Sequence, residues 1–301
     1  MSVPAAYVGV ILIWATTPLA IKWSGDGVGF LFGAAARMVI GVLVCLLLLA
    51  ALRRRLSLAR TALRTYIAGG LGIWSAMSCV YWAAQYIPSG LISVVFGLSP
   101  IATGAMAALW LGERALTPVR LLGIGVGIGG LAIIFLPGSG ALLGEHAALG
   151  VAGVIASVLF HGASSVWVKR IGAQVPALET TTGALLVAVP LFLATWSIAD
   201  GHWPEVLPTH ALGSILYLAL AGSVLGFILY YHVLRQLAAS RVALIPLVTP
   251  VLALGLGHVL NDEPLSPRVL AGSALILSGL AFWQWGDVVI RRMRWRLVVQ
   301  D

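Results

Sequence analysis

The chain has 301 residues, of which 60% are hydrophobic and only 9% charged, with a formal net charge of +8. An ordinary soluble protein carries about 25% charged residues, and no soluble domain of this length could bury so much apolar surface. A soluble fold is excluded, and lipid is the expected solvent.

A helix needs about 20 apolar residues to cross the hydrocarbon core. Ten segments meet that need, near 5–23, 29–52, 65–86, 88–111, 118–137, 147–169, 178–198, 211–234, 238–260 and 268–287. Met1 to Tyr7 lacks a basic leader region and runs directly into the first span, so it does not read as a secretory signal. That span sets Trp14, Thr17 and Pro18 on one face at i, i+3 and i+4. The second holds Arg37, the one formal charge well inside a span, about 12 Å from the helix end by the 1.5 Å rise per residue. Three readings of Arg37 stay open: it binds a carboxylate, snorkels to the surface, or caps a neighbouring helix.

The third span carries Trp74, Ser78, Tyr81 and Gln85 as a single polar-aromatic stripe at i, i+4, i+7 and i+11. Such a stripe should face protein or water, since polar groups are expensive in lipid. Ser99-Pro100 falls in the middle of the fourth span, with Thr103 beyond it, and Thr249-Pro250 in the middle of the ninth. Each proline frees the carbonyl four residues earlier, Phe96 and Pro246, which must find a partner or line a wet cavity. Gly123, Gly127 and Gly130 in the fifth span, with Gly125 and Gly129 between them, allow another backbone to approach closely. This run follows no strand and has no Lys-Ser/Thr, so it does not read as a nucleotide loop. His161, Ser164 and Ser165 in the sixth span repeat the spacing of Trp14, Thr17 and Pro18.

The second half repeats the first. Tyr81 to Ile101 parallels Tyr231 to Val251 at an offset of 150, and Leu116-Thr117-Pro118 parallels Leu265-Ser266-Pro267 at 149. Ile21-Lys22 parallels Val168-Lys169 at 147, the drift that small loop insertions leave. Each copy holds five spans, and an odd-numbered unit in tandem must insert in opposite orientations. The expected architecture is an all-α integral membrane protein of ten transmembrane helices in two inverted five-helix repeats, with a site near the bilayer midplane. The repeats are placed at 1–137 and 147–287, followed by a basic cytoplasmic tail at 288–301.

Charge orients the array. With the N-terminus inside, fifteen Lys and Arg residues fall on the cytoplasmic side, and only Lys22 and Arg268 fall outside. Both termini should therefore be cytoplasmic, in a multi-pass protein of the inner (plasma) membrane. The basic residues sit in short loops, so no nucleic-acid partner is expected. The outer loops instead carry Asp26, Glu145, Asp200, Glu205, Asp262 and Glu263.

The block Tyr86-Ile87-Pro88-Ser89-Gly90, Leu98-Ser99-Pro100-Ile101, Leu111-Gly112-Glu113-Arg114, Thr117-Pro118 and Leu122-Gly123 resembles the EamA-type signature of the drug/metabolite transporter superfamily. The second copy follows it more loosely and departs at Asn261-Asp262-Glu263, where the Gly-Glu pair is not kept. The resemblance implies a central cavity formed mostly by helices 1, 3, 4, 6, 8 and 9, and export of small metabolites such as amino acids.

Trp14, Thr17, Arg37, Trp74, Ser78, Tyr81, Ser99, Thr103, His161, Ser164, Tyr231 and Thr249 are the candidate substrate-binding residues. Helix packing is the rival reading for the small hydroxyls, and interfacial anchoring for Tyr81 and Tyr231, which otherwise suit gates at opposite mouths. His161, His232 and His258 could carry protons or serve as hydrogen-bonded structural groups. No mid-membrane carboxylate is present, so facilitated or exchange transport is expected rather than strict proton antiport. The leading expectation is an exporter of small neutral or zwitterionic metabolites. A broad exporter of hydrophobic drugs or lipid-like solutes is the alternative. A membrane enzyme is disfavoured because no paired acid and base, metal cluster or activated nucleophile is found. The expected partners are a small-molecule solute and the lipid bilayer, with homodimerisation left open; no cofactor or metal is expected.

Overall fold

The computed structural model describes residues 2–112, 117–134, 146–242, 245 and 249–298. Within them run α1 (Val3–Ser24), α2 (Phe30–Ala51), α3 (Arg60–Ala83), α4 (Ser89–Phe96), α5 (Ser99–Leu111) and α6 (Pro118–Ile134). The second half supplies α7 (Ala147–Ile171), α8 (Ala177–Ala199), α9 (Thr209–Gln236), α10 (Ala239–Val242), α11 (Thr249–Asn261) and α12 (Pro267–Val298). No strand occurs among the described residues. The helices fall at the ten predicted spans, with α4 and α5 sharing the fourth and α10 and α11 the ninth.

Six of these, counting α4 and α5 as one rod, are long and apolar enough to cross a bilayer; Leu121–Ile134, Thr249–Asn261 and Pro267–Phe282 are apolar but shorter. Helix α3 begins at Arg60 rather than at 65, because a turn containing Arg60 and Arg64 stays helical at the membrane edge. Helix α12 continues through the predicted tail to Val298.

Local sequence explains most of the ends. Pro118 and Pro267 open helices at their first position, and Pro88, Pro176 and Pro208 stand just before others, where no backbone donor is needed. Gly112 and Gly172 close α5 and α7 in the left-handed region, at φ 68° and 65°. Asp262 does the same after α11 at φ 48°. It is the repeat equivalent of Gly112 at the offset of 150, and Glu263 is that of Glu113. Within the Gly-Glu pair, the second copy therefore departs in one side chain only, and aspartate tolerates this conformation.

The halves exchange contacts as a two-fold relation requires. Helix α1 packs on α9, and α3 on α7; α2 meets α8, and α6 meets α12. Lys22 Nζ donates to the Ile87 carbonyl at 3.5 Å, and its equivalent Lys169 to the Leu234 carbonyl at 2.6 Å. These matching contacts lie at opposite ends of the bundle, one near Asp26, Asp200 and Glu263, the other near Arg54, Arg235 and Arg241. We refer to them as the acidic end and the arginine-rich end. The repeats are thus inverted.

Glycine shapes the α6–α12 seam as expected. A Cβ on Gly130 would stand 2.5 Å from the Gly272 carbonyl, and one on Gly279 2.5 Å from the Gly123 carbonyl. Gly125 and Gly129 meet nothing within 4 Å and a Cβ on Gly127 only side chains at 3.5 Å or more, so within this run Gly130 is the position shown to need the small residue.

Two features were not foreseen. Residues Leu218–Leu225 of α9 form a π-helical stretch, which adds a residue to the turn and rotates everything after it. At the acidic end, Glu263 reaches across the repeats to cap α4. Its carboxylate accepts from the Ser89 amide at 2.9 Å, the Gly90 amide at 3.1 Å and the Ser89 hydroxyl at 3.0 Å. Asn261 Nδ2 donates to it at 3.1 Å, and Asn261 Oδ1 accepts from the Trp23 indole at 2.8 Å. The helix that Glu263 caps thus belongs to the other half.

Candidate functional site

Between the halves lies a cavity with walls from both. Helix α1 contributes Trp14, Thr17, Pro18 and Ile21; α2 contributes Arg37; α3, Met77 and Val80; α4, Ile92, Ser93 and Phe96. The second half adds His161 from α7, Phe227 from α9 and Thr249 from α11. A smaller cavity toward the arginine-rich end is lined by Trp14, Ser99, Thr103, His161, Ser165 and Tyr230, with Ala239 and Val242.

Trp14 and His161 line both spaces, so the rings around them form the partition. Trp14 stacks on Tyr230 with centroids 5.2 Å apart and an interplanar angle of 30°. It meets His161 edge-on at 5.7 Å, and His161 lies 5.3 Å from Tyr230 and 5.8 Å from Phe96. Tyr230 Oη and Ser165 Oγ share a hydrogen bond of 2.5 Å, which fixes the ring. Offset and edge contacts of this kind are each worth about 0.5–1.5 kcal/mol, enough to hold a partition yet weak enough to reopen.

Proline breaks the fourth span where expected. Pro100 cannot donate to Phe96, and the freed carbonyl is taken by Ser99 Oγ at 2.5 Å. The break separates α4 from α5 and turns Phe96 toward the cavity. Thr249 opens α11 beside the cavity; Pro246, the corresponding carbonyl residue, lies outside the described residues.

The candidates separate into groups. Trp14, Thr17, Arg37, His161 and Thr249 line the central cavity, and Ser99 and Thr103 the smaller one. Thr103 Oγ1 is buried without a protein partner, which leaves it for water or a solute. Tyr81 is buried behind the wall and reaches Arg37 Nη1 at 3.5 Å. Tyr231 lines a separate pocket at the arginine-rich end, together with Lys169 and Arg235. Trp74 and Ser164 are not among the residues lining these cavities: Trp74 donates to Thr195 Oγ1 at 3.0 Å, and Ser164 to the Ala68 carbonyl at 2.8 Å. Ser78 has a buried hydroxyl without a protein partner and lines neither cavity. His232 bonds Gln236, and His258 the Glu263 carbonyl.

Sequence reasoning missed Tyr230, Phe227 and Ser223. The offset of 150 pairs Tyr81 with Tyr231, but the π-helical stretch shifts the register beyond it and brings Tyr230 to the partition. Nothing in residue spacing announces that extra residue.

The EamA-like transporter family matches residues 4–136 and 148–283, nearly all of both repeats. The chain belongs to this family. A solved crystal structure that aligns with 97% of the chain and 98% of its own length, at a TM-score of 0.68 and 21% identity, shares the fold. Among curated relatives, the EamA-like chain is 28% identical over 276 residues to the "Probable terminal-alkyne amino-acid exporter" of Streptantibioticus cattleyicolor, covering 91% of each chain. It is also 28% identical over 224 residues to the "Probable amino-acid metabolite efflux pump" of Escherichia coli K12, covering 71% of each. As an EamA-like transporter with several membrane-length apolar helices, it is a multi-pass membrane protein.

Proposed function

We propose that this EamA-like transporter exports small neutral or zwitterionic metabolites, amino acids first among them, across the inner membrane by alternating access. The observation that carries the reading is the cavity at the pseudo-two-fold junction, partitioned by Trp14, His161 and Tyr230. Two inverted halves that can rock about such a partition expose it to either side in turn. The named activities of relatives support export and amino acids as the class. The arginine-rich end is taken as cytoplasmic, with both termini there, from the distribution of basic residues. Aromatic walls also suit the alternative of hydrophobic drugs or lipid-like solutes, but a buried arginine in the same wall favours a charged or zwitterionic solute. Transport asks these residues to bind and move, not to catalyse a reaction.

No carboxylate lines the central cavity among the described residues, and a solute gradient alone can drive export between two states of similar energy. Proteoliposomes loaded with mixed amino acids should therefore release at least one neutral amino acid downhill after ionophores collapse the proton and sodium gradients. Absence of any amino-acid flux, alongside robust flux of another solute class, would overturn the substrate reading. Strict dependence on an imposed proton gradient would overturn facilitated transport.

A further inference from the structure

Arg37 is 1% exposed and lines the central cavity. Its Nε donates to Ser223 Oγ at 2.9 Å and its Nη1 to Tyr81 Oη at 3.5 Å. Both partners are neutral hydroxyls. They orient the guanidinium but offset none of its charge, and no ion pair includes Arg37 among the described residues. The sequence left snorkelling and helix capping open; the depth of burial and these hydroxyl partners match neither.

The π-helical stretch of α9 explains the pose. It sets Gly222 and Ser223 side by side against the guanidinium. Ser223 takes Nε, and the bare Gly222 leaves room for Nη2, which would stand 3.0 Å from a Cβ at that position. Such π-helical insertions recur at functional sites because they aim groups that a regular helix would not. The fork is held from behind, and the donors that Ser223 and Tyr81 leave unused are available to a ligand in the cavity.

A guanidinium in this state suits a carboxylate, which it meets through two parallel charge-assisted hydrogen bonds. A phosphate monoester carries up to two negative charges and would call for a second cation; among the described residues Arg37 is the only Lys or Arg on the lining. The rest of the lining is mostly apolar or aromatic, with Thr17, Ser93, His161 and Thr249 as its other polar side chains. An ammonium group finds no carboxylate there among the described residues, only hydroxyls, the His161 imidazole and ring faces, which tolerate a cation without supplying a counter-charge.

We propose that Arg37, seated by Ser223, Tyr81 and Gly222, is the anion-binding pole of the cavity and takes the carboxylate of the transported solute. The substrates are then monocarboxylates with an apolar or aromatic remainder, for which the carboxylate is essential and the amino group dispensable. This rests on the transport reading above and names its substrate chemistry.

The test uses the full-length protein in proteoliposomes and three probes: L-phenylalanine, L-phenylalaninamide and 3-phenylpropanoate. Binding is read from the shift in thermal unfolding, and transport from competition with labelled L-phenylalanine. Both carboxylates should bind the wild type at least about tenfold more tightly than the amide, tenfold corresponding to one decade in Kd. Arg37→Gln should bring acid and amide to within about twofold, and Arg37→Lys should restore part of the preference. Gly222→Ala keeps the charge but displaces Nη2, and should weaken the acid while leaving the amide unchanged; it also serves if Arg37→Gln fails to fold. Equal binding of acid and amide by the wild type, no binding of either carboxylate, or a preference that survives Arg37→Gln would overturn the proposal. Efflux that proceeds without discrimination would remove Arg37 from the site and leave the transport reading intact, whereas absence of all efflux would defeat that reading first.

Discussion

Replacing Trp14 with alanine is expected to cut solute flux about ten- to a hundredfold, with the yield of folded protein within about twofold of wild type. Trp14 touches both cavities, stacks on Tyr230 at 5.2 Å and meets His161 at 5.7 Å. Losing two ring contacts of about 0.5–1.5 kcal/mol each, and the wall itself, removes about 1–3 kcal/mol from the partition. At 1.4 kcal/mol per decade this gives the stated range. Stability should fall by no more than those same ring contacts, because the side chain already borders empty space. Trp74 supplies the contrast. Its indole bridges α3 to Thr195 on α8 and lines neither cavity, so Trp74→Ala should lower thermal stability by about 1–3 kcal/mol and leave flux per folded molecule unchanged. Flux normalised to the monodisperse peak in size-exclusion chromatography checks both. Equal loss of flux in the two variants, or unchanged flux in Trp14→Ala, would assign Trp14 to packing.

Glu263→Ala should open the acidic end. The carboxylate is buried and accepts from two backbone amides and one hydroxyl of the opposite repeat. A buried donor left without its acceptor is destabilised by about 1–3 kcal/mol, and those amides recover partners when the mouth opens to water. The closed form is therefore disfavoured by about ten- to a hundredfold. A single cysteine at Ser93, in a chain whose Cys45 and Cys79 are replaced by alanine, reports this through an impermeant thiol reagent added at the acidic side. Labelling should rise at least about tenfold with Glu263→Ala. Gly257→Ala should act alike, because its added methyl would collide with the Glu263 carboxylate. Unchanged labelling in both would show that Glu263 caps α4 without holding the mouth shut.

Much of the scaffold was legible because it follows from periodicity and hydropathy. The spans, the proline break at Ser99-Pro100 and the glycine face at Gly123, Gly127 and Gly130 depend on residue type at local spacing. The inversion followed from counting five spans per copy, and Lys22 and Lys169 display it at opposite ends. Contacts between distant residues were not legible. Glu263 meets Ser89 across 174 positions, and the sequence at Asn261-Asp262-Glu263 looked like a broken motif because Asp262 adopts the glycine conformation. The π-helical stretch in α9 leaves no mark on hydropathy, yet it brings Tyr230 to the partition and Ser223 to Arg37. Trp74 and Ser164 share helix faces with cavity residues, but their polar atoms were already claimed by Thr195 and Ala68 on neighbouring helices.

The most direct measurement is the two-sided accessibility of a cysteine at Thr17, which lines the central cavity beside the ring partition. With Cys45 and Cys79 replaced by alanine, Thr17→Cys is treated with an impermeant thiol reagent from each face of sealed vesicles, with and without the transported amino acid. A cavity that opens alternately predicts reaction from both faces, slowed at least about fivefold by saturating solute as the site becomes occupied. A thiol that reacts from neither face, or at rates indifferent to the solute, would contradict a transport pathway through this cavity.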